Sequence, residues 1–187
     1  MSASPVFWIA AAVLLFWAVG AYNRLIRLRA AALVAFAAVE APLRAQAELV
    51  QSCLPPSATP ATAQDDDDLL DDMASLWRGL GAAASQFTAS LTAARARPLD
   101  GNAVAALSAA VGVLHMAWQR MQQDDAHDLA GAALPESLQS QWQQIDTQHK
   151  AAATLFNQAV DSYNSAVTQF PALLLAWLFG FRPARAL

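Results

Sequence analysis

The sequence predicts an all-α protein: an N-terminal transmembrane helix continuing into an antiparallel up-down bundle of long helices. Three observations predict it. An uncharged apolar run, VFWIAAAVLLFWAVGAY, extends from Val6 to Tyr22. Beyond it, apolar residues recur at three-, four- and seven-residue spacing, with no strand-like alternation and no internal repeat. Hydrophobic residues make up 56% of the 187 and charged residues 14%, more apolar than the roughly 45–50% of a soluble domain. The chain divides into a tail and anchor (1–22), a helical body (23–170, with a linker at 55–67) and an apolar C-terminal tail (171–187).

The anchor comes first. A transmembrane helix needs about 20 apolar residues, with a range of roughly 17–25. Pro5 suits the first turn. Trp8, Trp17 and Tyr22 suit the interfaces, and Arg24, Arg27 and Arg29 follow at once. The positive-inside rule then places the N-terminus outside and the bundle in the cytoplasm; a periplasmic bundle is the alternative. A cleaved signal peptide is the rival. Val19-Gly20-Ala21 offers small residues for cleavage, but no Lys or Arg precedes Val6.

The first bundle helix is expected from Asn23 to Leu54, kinked or divided at Pro42 and ended by Pro55 and Pro56. PPSATPATAQ reads as linker. The second helix starts within the run Asp65 to Asp68, whose carboxylates cap free amides, and continues through Leu80 and Phe87 to about Arg95. RPLDGN is a turn. The third helix runs from about Ala103 to Gln123, and DDAHDLAGAALPES is a loop. The fourth starts near Pro135 and follows Trp142, Ile145, Phe156, Val160, Tyr163 and Val167 to Phe170. Four such helices with short connections, packed in coiled-coil fashion, alternate in direction, so the fourth returns to the bilayer.

It delivers there the strip Phe170 to Phe181, which carries Trp177 and is followed by Arg182 and Arg185. Aromatic and basic residues bordering apolar ones suit a lipid interface. The alternative is that the strip folds back over the bundle core. At about a dozen residues it falls short of the roughly 17 needed to span.

The chemistry-bearing residues mark no reaction. The net charge of −4 argues against nucleic acid as the main partner. Cys53, the only cysteine, excludes an intramolecular disulfide and a cysteine-based zinc site. The Asp65–Asp72 run lacks the alternating ligands and central glycine of a calcium loop, and reads as a solvated capping face. Asp124, Asp125, His127 and Asp128 have metal-compatible types in a loop, with one histidine among them. His115 is expected to be a packing histidine, and His149 an exposed one. Glu40, Glu48 and Asp146 are ion-pair candidates. There is no nucleophile elbow, phosphate loop or zinc-protease helix. No catalytic residue, cofactor, metal or small-molecule substrate is expected.

Both ends carry a pattern of a known family. Near the C-terminus stand Phe156-Asn157, Val160, Tyr163-Asn164, Phe170-Pro171 and Gly180-Phe181. After the anchor comes Tyr22-Asn23-x-Leu25-Ile26-x-Leu28-Arg29. The combination resembles the LemA family, which usually has Tyr where Phe156 stands. The resemblance is specific at both ends and faint between Pro55 and Pro135. It implies an N-terminal membrane anchor and long helices, and no reaction.

Physically, Asn157 and Asn164 lie two helical turns apart on one face. They are expected to meet the first helix near Asn23 and fix its register, since an unsatisfied buried amide costs about 1–3 kcal/mol; a binding site is the alternative. The expected function is a non-enzymatic scaffold or interaction module at the inner (cytoplasmic) bacterial membrane. Its expected partners are lipid and other membrane or envelope proteins. The alternatives are a lipid-sensing or membrane-remodelling module, or an exported bundle released by cleavage.

Overall fold

The computed structural model describes residues 5–54, 68–125, 135–170 and 172–187. They form five helices and, among the described residues, no strand: α1 (Pro5–Cys53), α2 (Asp68–Ala96), α3 (Gly101–Asp125), α4 (Glu136–Thr168) and α5 (Ala172–Phe179). The linker expected at 55–67, which holds Asp65, Asp66 and Asp67, lies outside the described residues, as do His127 and Asp128 of the expected loop and Pro171. Asp124 and Asp125, expected in that loop, end α3.

Anchor and first bundle helix are one uninterrupted element. Pro42 was expected to kink or divide it, and it does not divide it: α1 runs through Pro42 to Cys53. Proline removes one ladder hydrogen bond from a helix interior. Pro42 is buried, and its neighbours Val39, Leu43, Gln46 and Val50 are packed into the core on the same stripe, which holds the helix across the defect.

α1 packs along α4, α2 against α3, and α1 against α2. Directions follow from the contacts. Phe36 meets Phe156 with ring centroids 5.5 Å apart at 69°, and Tyr22 meets Phe179, so α4 and α5 run back along α1. Arg95 at the end of α2 pairs with Glu40 at 3.2 Å, while Gly81 lies beside Leu54, so α2 also runs against α1. Glu40 pairs with Arg44 as well. The turn between α2 and α3 is closed by Asp100, whose carboxylate accepts from the N–H groups of Asn102 and Ala103. Those bonds hold its carboxyl below the usual range.

Each of α1 to α4 contributes one apolar stripe. On α4 it is Trp142, His149, Phe156, Val160, Tyr163 and Val167, at spacings of seven, seven, four, three and four. Leu25, Phe36, Leu43, Leu80, Phe87, Leu107, Leu114 and Trp118 fill the space between. Full burial of such a side chain stabilises by about 1.5–3 kcal/mol.

Among the described residues two helices, α1 and α3, are long and apolar enough to cross a membrane. They differ in what they bury: 6% of the apolar stretch of α1, against 33% of that of α3. α3 turns Val104, Leu107, Ala110, Leu114 and Trp118 into the core. The first turns of α1 leave Phe7, Trp8, Leu14, Leu15 and Phe16 exposed.

Candidate functional site at the α5 end

α4 ends at Thr168, because Gln169 adopts an extended conformation (φ −77°, ψ 133°). The strip expected to continue from it forms the separate helix α5. That helix is stopped by a glycine: Gly180 has φ +71°, and the N–H of Phe181 donates to the carbonyl of Ala176 at 2.8 Å. This is a Schellman ending, with its left-handed residue supplied at no steric cost. The chain is thereby turned back, and residues 181–187 run along α4 without regular structure.

The two asparagines hold this returning segment. Asn164 donates from Nδ2 to the carbonyl of Ala184 at 2.8 Å, and its Oδ1 accepts from the N–H of Ala184 at 2.8 Å. Asn157 repeats the pattern on Leu187, at 3.0 and 2.8 Å. Tyr163 donates its hydroxyl to the carbonyl of Arg182 at 3.0 Å. Burial pushes the Tyr163 phenol up, opposed by the charge of Arg29. The expectation that Asn157 and Asn164 meet Asn23 is therefore corrected. Asn23 is exposed, and the asparagines face the tail. Seven-residue spacing does put both on one face, but α1 is met by a different stripe, through Phe156.

The other motif residues gather around this clamp. Tyr22 packs on Phe179 (4.9 Å) and Phe181 (6.1 Å). Leu25 and Val160 are buried, and Leu28 is half-buried against the core. Arg24, Arg27, Arg29 and Arg182 are exposed, as are Trp8 and Trp17. Phe170 and Trp177 are 79% and 83% exposed. With Leu173, Leu174, Leu178 and Phe179 also exposed, α5 meets the core through Ala176 and leaves most of its large side chains uncovered. Between α1 and the end of α4 lies an open, largely apolar groove of about 820 Å³, lined by Phe16, Trp17, Leu25, Ala166 and Phe170, with Arg24 beside them.

A polar cluster at the opposite end was not expected. Trp118 stacks on Trp142 with centroids 4.5 Å apart at 14°. His115 stands edge-on to Trp142 at 5.3 Å and 6.3 Å from His149. Its Nε2 lies 3.3 Å from Gln46 Nε2 and 3.5 Å from Asp146 Oδ1, and Asp146 holds Lys150 at 2.7 Å. One ring nitrogen cannot accept from Gln46 and donate to Asp146 at once. Burial pushes both histidines down, with Asp146 opposing. His149 was expected to be exposed and is buried at 8%. Its place midway between Trp142 and Phe156, seven residues from each, is the signal that identifies it. Among the described residues no group of three or more potential ligands is placed to hold a metal.

A family model described as the LemA family matches residues 60–187. The chain belongs to the LemA family. The match takes in α2, α3, α4, α5 and the clamped tail, including the middle of the chain, where the motif resemblance is faint. The LemA-like residues Tyr22 to Arg29 precede the matched region. No curated protein and no solved structure matches this LemA-family chain.

Proposed function

We propose that this LemA-family chain is a non-enzymatic, single-pass membrane-anchored helical bundle that acts as a scaffold or protein-interaction module. It sits at the inner bacterial membrane, with the N-terminus outside and the bundle in the cytoplasm. One observation carries the reading. Two uncovered apolar surfaces, the first turns of α1 and the outer face of α5, lie at the same end of the bundle, flanked by Arg24, Arg27 and Arg182. From Phe7 to Tyr22 α1 is about 24 Å long at roughly 1.5 Å per residue, close to the roughly 30 Å hydrocarbon core. The exposed leucines and aromatics of α5 then meet the interface, where such side chains are favourable. Partners among membrane or envelope proteins are recruited by the bundle.

A second reading, a lipid-sensing or remodelling module, draws on the same α5 surface and on the apolar groove beside Arg24. Lipid-borne quenchers at graded depth test both. Trp177 fluorescence is expected to be quenched from the interface; an unresponsive Trp177 removes lipid contact from either reading. Orientation is read with Cys53→Ser and a cysteine placed at Ser57. Labelling by an impermeant maleimide only after inner-membrane lysis is expected, and labelling of intact, outer-permeabilised cells reverses the topology.

A further inference from the structure

The clamp on the C-terminal tail has the form of a peptide site. Four of its five hydrogen bonds come from two asparagine amides, and each amide takes both the N–H and the carbonyl of one tail residue. No tail side chain takes part in these bonds, so they read the backbone, while the inward positions set the size of the side chains the groove admits. The registers agree. Two helical turns on α4 cover about 10.5 Å. Three residues of extended chain, Ala184 to Leu187, cover about 9–10 Å. Burial in the tail repeats with the same period: Phe181, Ala184 and Leu187 face in, while Arg182, Pro183, Arg185 and Ala186 are exposed. The segment passes over the start of α3, where Arg185 Cβ would lie 3.8 Å from a methyl on Gly101.

The tail is also hinged. Gly180 is the one glycine with positive φ among the described residues, and a Cβ there would meet nothing within 4 Å. Its role is backbone conformation, not packing. A segment held by backbone bonds and joined by a single glycine turn can leave its own groove and enter an identical one at little cost, because the exchanged contacts are the same. Confinement of copies to one surface raises their effective concentration.

We propose that the α4 face bearing Asn157, Tyr163 and Asn164 is a backbone-reading site for an extended segment, whose occupant in trans is residues 182–187 of a second copy. This rests on the interaction-module reading and gives that module its first partner. Reciprocal exchange closes a two-fold dimer in which each copy completes the other's site.

The test is complementation in detergent, which needs no vesicle. One variant, Asn157→Ala/Asn164→Ala, keeps its tail and loses the clamp. The other ends after Phe181 and keeps the clamp without a tail. Each alone is expected to be monomeric by light scattering, and an equimolar mixture to form a heterodimer that excess synthetic peptide 181–187 dissolves. A mixture that stays monomeric, with both variants helical by circular dichroism, overturns the proposal. A dimer that the peptide leaves intact does so as well. If either variant fails to fold, Gly180→Ala in the full chain decides. A left-handed alanine disfavours the return turn by about five- to thirty-fold, so the dimer dissociation constant is expected to fall at least about five-fold. An unchanged constant overturns the proposal. Co-flotation of the full chain with vesicles is scored separately, so membrane anchoring survives or fails on its own result.

Discussion

Asn164→Ala gives the sharpest reading of the clamp. The substitution removes two hydrogen bonds of 2.8 Å and strands the N–H and carbonyl of Ala184, a residue only 8% exposed. Each bond contributes about 0.5–1.5 kcal/mol net, so the tail loses roughly 2 kcal/mol. The full penalty for stranded groups is not reached, because the segment can lift and be solvated. Amide exchange at Ala184 reports that lifting directly, since protection tracks the free energy of local opening. About 2 kcal/mol corresponds to a roughly 30-fold loss of protection. Asn164→Asp keeps the acceptor for the Ala184 N–H and loses the donor, so about half the effect is expected. Protection at Leu187, held by Asn157, falls in parallel if the tail opens as one unit. An Ala184 amide whose exchange is unchanged in the folded alanine variant would refute the reasoning.

Other perturbations test other parts. Phe36→Ala empties a fully buried site against Phe156 and is expected to cost about 3–5 kcal/mol, lowering the melting temperature by about 10 °C in a circular dichroism scan; a drop under about 2 °C would contradict the packing. His115 and His149 are held below their ordinary values, mainly by burial, so the unfolded chain takes up protons first as pH falls. Stability is therefore full above about pH 6.5 and declines below it until the folded-state values are passed. Urea midpoints between pH 7.5 and 5 should show this decline, shallower in His149→Gln, and parallel slopes in the two proteins would count against it. Trp177→Glu/Leu178→Glu alters exposed side chains of α5 and should leave the melting temperature unchanged while reducing vesicle co-flotation several-fold; full binding would remove α5 from the interface.

The first four helices were legible because each carries a stripe at helical spacing, whereas α5, with only Ala176 buried, carries none. Phe156, Val160, Tyr163 and Val167 lie on the buried face of α4, as their spacing requires. Pro42 did not divide the helix, because the loss of one hydrogen bond was outweighed by packing on either side of it. The pairing of Asn157 with Asn164 could be read from seven-residue spacing, but not their partner. That partner is set by Gly180, and a glycine in a sequence does not announce the direction in which it turns a chain. His149 was missed for a related reason. Polarity suggested the surface, while its position on the α4 stripe placed it inside.

The continuity of α1 has a mechanical consequence. A helix with no joint between its exposed apolar turns and its core-packed turns transmits orientation. From Tyr22 to Cys53 it reaches about 47 Å at roughly 1.5 Å per residue. With the N-terminal segment in a bilayer, tilt imposed by lipid thickness becomes tilt of the whole bundle. A change of about 10° there swings the far end, where Trp118 and Trp142 stack, through roughly 8 Å. Under the proposed anchoring, the bundle behaves as a pointer whose reading follows membrane thickness.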